Sequence, residues 1–592
     1  RHPWGTLPIG MQQCDQPRDR SRPQQRGLAK HNSHRPLACQ FNPQVNEMTR
    51  RLFGTDGIRG KVIDASPDEE ASINALHDHR VISTTLLRIV GEALGRTMDQ
   101  LPGKGTKAVI GWDDRPRNTE LVAALTLGLR LTGCTVVHVG MCATPALHRA
   151  TLRHQARIGC MITASHNPVS DSGLKVFDSL GYKTNPQYED FVSNIADALA
   201  SEEREIDAID QAELSQPSQP YDASMSAANH HPSWLSERYA HFQFLTGTAG
   251  INGANVARPF VIDASKGAAH TWLANWLSEQ GLESIEVSSE APALNLNCGA
   301  GDFSPTQTWT FEQASNSPHM LLRNLTPSPP GTLVGAALDG DGDRCLVVQA
   351  TRDGFMIVDG DAIGDTILST AALHSKAPWH LAASIESDLS LLATAERLPA
   401  PVEISETAVG DRWLSKALGD ALPHSETPPR SIGVEDSGHI VMPTPLPGKS
   451  GDWALVGDGA ATLVAYLLAF SNQDAAHHMK RGWKQRRSVS GVDRTLWTGQ
   501  NQLAGQVESI ARAFFEQQGT VEQWNRHGLE GESNLMLISF EVDGHPASLG
   551  VRNSGTQAKI SVSLRLSPNI NPVTAPDLMN SLTNLLDAEM KA

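Results

Sequence analysis

A chain of 592 residues exceeds what one hydrophobic core organises, so three or four domains are expected, with clefts between them. Its apolar fraction of 40% supports packed cores, while the longest apolar runs, near Leu121 to Leu129 and Ala460 to Phe470, are too short to cross a bilayer. The net charge of -16 argues against a nucleic-acid partner, which would need Lys and Arg against phosphates, and makes any local basic cluster informative about an anionic ligand.

Residues 1–47 are rich in Arg, Gln and Pro without apolar periodicity, and are expected to be a disordered extension outside the native protein, with Met48 as the working start. From Lys107 the text reads strand KAVIG, loop WDDRPRN, helix TELVAALTLGLRL, strand CTVVHVG, helix PALHRATLRHQA and strand RIGCMIT, a βαβαβ unit. A polar linker is expected from about Ser201 to Ser233. A second unit follows: strand RPFVIDA, a helix from Gly267, strand SIEVSS and strand LVGAALD. A third runs from Asp361 as helix, strand HLAASIES, helix LSLLATAERL, strand PVEIS, helix at Asp411, strand SIGVED and helix GDGAATLVAYLLAF. After about Arg487 come a helix over Leu503 to Gln518, strand-like runs LMLISFEV and KISVSLRL, and a terminal helix from Ala575. The fold class is α/β: three βαβ-type mixed-sheet domains plus a C-terminal α+β domain around a central cleft. Seven cysteines without a CxxC pair suggest reduced thiols and a cytoplasmic protein.

Four loops carry chemistry. Thr163-Ala164-Ser165-His166-Asn167-Pro168 follows a buried strand, where α/β sheets place ligand loops, and exposes a serine outside any GxSxG frame. Asp339-Gly340-Asp341-Gly342-Asp343-Arg344 sets three carboxylates at alternate positions, a pattern that converges on a hard cation such as Mg²⁺. An EF-hand is excluded, because Arg344 holds its glycine position and Ala350 its terminal glutamate. Gly433-Val434-Glu435-Asp436-Ser437-Gly438-His439 offers a carboxylate, a hydroxyl and an imidazole suited to sugar hydroxyls, or equally a plain polar hairpin. Arg552-Asn553-Ser554-Gly555-Thr556-Gln557-Ala558-Lys559 can surround a phosphate with cations, hydroxyls and backbone amides, or form a surface turn.

Together, in this order and from Met48 to the C-terminus, the four loops resemble the signature of the α-D-phosphohexomutase family. The runs RLFGTDGIRG, LNLNCGAGD and AVGDRW are most similar to its bacterial phosphoglucosamine mutase branch. The resemblance implies a phosphoserine-loop domain over 48–230, a metal-loop domain over 231–350, a sugar-binding-loop domain over 351–480 and a C-terminal phosphate-binding domain over 481–592. It implies Ser165 as the phosphorylated nucleophile, with His166, Arg59, Lys175 and His439 as catalytic neighbours. Mg²⁺ is implied on Asp339, Asp341, Asp343 and the phosphorylated Ser165. Substrate contacts are implied at Arg344, Gly410, Asp411, Glu435, Ser437, Arg552, Ser554, Gly555, Thr556 and Lys559. The implied reaction moves phosphate within a hexose phosphate through a bisphosphate that also primes the enzyme, in a monomer or homodimer, and glucosamine phosphate is the expected substrate.

Three positions depart from the family pattern. Ser561 stands where the phosphate loop commonly carries a second arginine, with Lys559 or Arg565 as compensating candidates; Ser172 replaces an asparagine, and Gln557 a glutamate. Mannose or glucose phosphate as substrate, and a catalytically weak sugar-phosphate binder, stay open as alternatives.

Overall fold

The computed structural model describes residues 51–64, 68–202, 221–251, 253–419, 422–472, 478–554 and 558–591. The 1–47 extension and Gly555, Thr556 and Gln557 therefore lie outside the described residues. Each apolar strand of the reading above is present, and each of the first three sheets is mixed because the strand leading into a signature loop is followed by a strand that returns antiparallel. Ile158–Ile162 runs into the Ser165 loop and Asp171–Asp178 comes back beside it, Met161 opposite Lys175. The first sheet orders its strands as Val81–Ile82, Ile58–Val62, Asp171–Asp178, Ile158–Ile162, Lys107–Trp112, Thr135–Met141 and Tyr221–Asp222. Helices Thr84–Thr97 and Asn118–Leu131 cover it, the former capped by Ser83, whose hydroxyl accepts from Leu86 N.

In the second sheet Leu333–Leu338 lies parallel to Val256–Asp263 and antiparallel to Cys345–Ala350, so the aspartate loop is a hairpin turn between Leu338 and Cys345. In the third, Trp379–Ser384 lies parallel to Val402–Thr407 and to Ser431–Val434. The antiparallel pair Ile440–Pro445 and Trp453–Gly457, not anticipated from the sequence, completes it. The linker expected up to Ser233 ends earlier, because helix Ser224–Thr246 occupies its second part. Residue 230 falls inside that helix, whose Leu235 and Phe242 join a core cluster shared by the second and third sheets. Helix Gly459–Phe470 is buried at all 12 positions because it is wedged in this shared core. Its sequence is apolar but for Thr462 and the Tyr466 hydroxyl, as a helix without a solvent face requires.

The C-terminal sheet is antiparallel, in the order Trp483–Ser490, Lys559–Leu566, His545–Asn553, Met536–Val542 and Val521–His527, with helices Gln502–Glu516 and Ala575–Met590 packed against one face. Only two of these five strands were legible. The outer strands Trp483–Ser490 and Val521–His527 carry charged and amide residues where a core strand carries aliphatics, so apolar periodicity does not mark them. Among the described residues no helix is long and apolar enough to cross a membrane, and Cys134, Cys142, Cys160, Cys298 and Cys345 are free and buried.

Candidate active site

Ser165 sits at φ +54, a left-handed backbone conformation uncommon for a non-glycine residue. What holds it there is a dense set of hydrogen bonds. Its N–H donates to Thr163 Oγ1 (2.8 Å), and its carbonyl accepts from Arg115 (2.7 Å) and from Asn295 Nδ2 (2.7 Å). Arg115 also donates to Asp113, Pro168 O, Asn167 O and Asp171 O, so one buried guanidinium straps the whole loop. The Ser165 hydroxyl donates to Asp339 Oδ2 at 2.6 Å.

The aspartate loop meets the serine loop backbone to backbone. A Cβ on Gly340 would lie 2.8 Å from Ser165 O and 2.7 Å from Asn295 Nδ2, so only glycine permits the approach. Gly342, at φ +71, turns the loop so that Asp339, Asp341 and Asp343 bring carboxylate oxygens within 4.8 Å of one another, all buried. Lys175 Nζ, on the returning strand, lies 2.6 Å from Asp341 and 2.7 Å from Asp343. Burial works against its charge, but Asp341, Asp343 and Asp56 hold its pKa well above the usual lysine value. Asp339 is pushed up to about 7 by burial and by its two aspartate neighbours, whereas against burial Lys175 holds Asp341 and Asp343 below their ordinary value. Asp341 Oδ1 and Asp343 Oδ1 are buried without a hydrogen-bond partner. Unpartnered hard oxygens in this cluster fit a divalent cation.

The sugar-loop residues join the same network. Arg344 and His439 are bridged backbone to backbone, and Cys345 N donates to Gly438 O (3.0 Å). His439 lies 3.3 Å from Asp411 and 3.7 Å from Asp343, and although burial opposes its charge these two carboxylates raise its pKa to about 8. Gly410 N donates to Glu435 Oε1 (2.6 Å), and Ser437 Oγ to Glu435 Oε2 (3.5 Å). Arg59 pairs with Asp56. His166 is driven down to about 3 by Arg344, then by burial and Arg59. Arg344 itself is held above its ordinary value, against burial, by Asp339, Asp343 and Glu435.

Arg552 is bound by Glu386 (3.3 Å) and Glu532 (3.0 Å), Ser554 N donates to Lys559 O (2.8 Å), and Lys559 opens the last strand. Arg565, on the neighbouring strand and opposite Ser548 rather than Arg552, is buried and engaged with Glu406, Ser387 O and Ser548. Ser172 is committed within the first sheet, donating to Asn118.

Residues 50–203 match the family described as phosphoglucomutase/phosphomannomutase, alpha/beta/alpha domain I. Over 497 residues the chain is 30% identical to the phosphoglucosamine mutase of Mycobacterium tuberculosis, spanning 79% of this chain and 93% of that protein. The chain belongs to the α-D-phosphohexomutase family. Over 419 residues it is 31% identical to the phosphoglucosamine mutase of Mycobacterium marinum, covering 69% of this chain and 77% of the relative. The fold is shared with a phosphoglucomutase/phosphomannomutase family protein from Burkholderia thailandensis (TM-score 0.56, 18% identity, 92% and 98% of the two chains). It is shared also with parafusin, a phosphoglucomutase from Paramecium (TM-score 0.58, 16% identity, 90% and 95%). The protein is thus an intramolecular phosphotransferase of the isomerase class.

Several residues of this candidate site escaped the sequence reading. Asp56 and Lys183 link its first and third domains: Lys183 pairs with Asp56 and lies 2.7 Å from Asp411. Thr144 donates to Asp341 (2.5 Å). Asp56 and Asn295 lie inside the runs RLFGTDGIRG and LNLNCGAGD, which signalled the branch without assigning these residues a role. Lys183 and Thr144 carry no local signal, because their partners are remote in sequence.

Proposed function

We propose that the enzyme interconverts glucosamine 6-phosphate and glucosamine 1-phosphate through phosphorylated Ser165. The observation that carries the chemistry is the Ser165 hydroxyl at 2.6 Å from Asp339 inside a buried cluster of three aspartates and Lys175. The substrate follows the amino-sugar mutases of Mycobacterium, whose length the chain nearly spans. In the reaction the free sugar hydroxyl attacks phosphorus, the bond from Ser165 Oγ to phosphorus breaks, and the hydroxyl proton leaves to a protein base. The bisphosphate then reverses in the site and returns its other phosphate to Ser165.

Phosphate monoesters demand up to about 10²¹-fold acceleration, so dense fixed charge is expected. Lys175, Arg59 and Arg344 would meet the charge of the phosphoryl group, and His439, cationic near neutrality, would act as a proton donor to the leaving oxygen. Mg²⁺ would be held by Asp339, Asp341, Asp343 and the phosphorylated Ser165, and supplies charge neutralisation when bound. Glu435 and Ser437, with Gly410 and Asp411 beside them, would hold sugar hydroxyls in both orientations. Arg552, Ser554, Gly555, Thr556 and Lys559 would grip the phosphate that is not reacting. We place the enzyme in the cytoplasm, in keeping with its free buried cysteines.

The test is a mutase assay with Mg²⁺ and a hexose bisphosphate primer, comparing glucosamine, glucose and mannose phosphates, with Ser165→Ala alongside. A preference for glucosamine phosphate, absent in the alanine variant, is expected. Preference for another sugar corrects the substrate, and turnover that survives Ser165→Ala refutes the mechanism.

A further inference from the structure

One face of the C-terminal sheet is unusually basic. In register, Arg486 stands opposite Ser563 and Ser563 opposite Gly550, while Ser488 stands opposite Ser561 and Ser561 opposite Arg552. Residues directly paired across antiparallel strands share a face, so Arg486, Arg552 and Lys559 rise around a floor of Gly550, Ser488, Ser561 and Ser563. The three cations lie in one another's field: Lys559 is lowered by burial and then by Arg486 and Arg552.

What occupies the middle is a carboxylate from another domain. Glu386, on the loop after strand Trp379–Ser384, is buried; one of its oxygens is paired with Arg486 and the other lies 3.3 Å from Arg552. Two guanidiniums gripping the two oxygens of one anion is also the way a phosphate is bound. Beside it opens a cavity of about 440 Å³ whose lining includes Arg481, Arg486, Ser563, Ser304 and Thr306, and also Asp388 and Asp436, the latter paired with Lys484. The cavity reaches Arg486, Glu386 and Ser563, so an anion that displaces the Glu386 carboxylate has open space on the Arg486 side. Arg565, the other arginine of this face, is fully engaged with Glu406, Ser387 and Ser548 and is not available to a ligand.

We propose that Arg486 is a phosphate-binding residue that acts with Arg552, and that Glu386 is an internal stand-in anion which the phosphate of the substrate displaces. This rests on the mutase reading above. It explains how a loop with serine at 561 grips a phosphate dianion: the second guanidinium comes from the neighbouring strand. It also makes phosphate binding and the Glu386 contact to Arg486 and Arg552 mutually exclusive, while Arg565 with Glu406 and Lys484 with Asp436 keep the C-terminal sheet joined to its neighbour.

The test uses the full chain carrying Ser165→Ala, so that no phosphoserine is present, and titrates inorganic phosphate and a hexose phosphate calorimetrically. Loss of one charge-assisted contact corresponds to at least about tenfold weaker binding, so Arg486→Ala should weaken both ligands by that factor. Glu386→Gln should tighten both, and adding Ser561→Arg to Arg486→Ala should recover affinity. In the Ser165 enzyme, Arg486→Ala should raise KM while kcat changes by less than the KM ratio. Arg486→Gln, which keeps the side-chain volume, serves if the alanine variant is poorly folded. Wild-type affinity in either folded Arg486 variant overturns the proposal, as does weaker or unchanged binding in Glu386→Gln, which would make the contact a static bridge. Arg486-dependent phosphate binding in a protein that turns over no hexose phosphate would uphold this inference while refuting the mutase substrate reading.

Discussion

Arg412→Met should destabilise the protein by about 3 kcal/mol or more near neutral pH, the cost of orphaning one partner of a buried ion pair. The pair is bidentate: Arg412 donates to Glu189 Oε2 at 2.9 Å and to Oε1 at 2.8 Å, and Thr184 adds a third bond to Oε1 at 3.1 Å. With side-chain exposures of 8% and 6%, water cannot replace the guanidinium. Burial already raises the pKa of Glu189, the arginine pulling it back, so removing Arg412 raises it further. A carboxyl whose folded pKa exceeds its unfolded value binds more protons when folded, and such a protein gains stability as pH falls toward the unfolded value. The deficit of Arg412→Met should therefore shrink between pH 7 and pH 5, and Glu189→Gln in the same background should remove much of it. The pair also anchors helix Asp411–Gly419 to helix Pro186–Ala200, and Asp411 is the partner of Lys183 and His439, so turnover should fall with stability. Urea and thermal unfolding of wild type, Arg412→Met and the double variant at the two pH values form the assay. A loss below about 1 kcal/mol, or one that does not change with pH, would show that Glu189 finds another partner and would refute the reasoning.

Two further outcomes follow from the site. Lys175→Met strips the cation from Asp341 and Asp343, so the protein without divalent ions should lose about 3 kcal/mol and Mg²⁺ should raise its melting temperature more than that of wild type; equal Mg²⁺ responses would mean that Lys175 does not substitute for a metal's charge. Gly340→Ala should cut kcat about 10²-fold with a much smaller effect on stability, because the new methyl group pushes Ser165 O and Asn295 away; a near wild-type kcat would show that the serine loop has slack.

What the sequence alone determined is local. Three aspartates at alternate positions among glycines stand out because each carboxylate lies within a few residues of the next, whereas GVEDSGH and RNSGTQAK, read alone, suit plain turns as well and gain meaning only from the order of all four loops. The parallel core strands were equally legible, since a strand buried on both faces must be apolar throughout. Tertiary structure decided everything that depends on which loops face one another. It brings Lys175 to Asp341 and Asp343 through a hairpin register, Asp56 and Lys183 to Asp411 across two domains, and Asn295 to the carbonyl of Ser165. It sets Arg486 and Glu386 around Arg552, although neither belongs to a signature run and the edge strand carrying Arg486 is too polar to announce itself. Charge pairs of this kind act over a few ångströms in space and leave no period in the chain, so only the folded backbone reveals them.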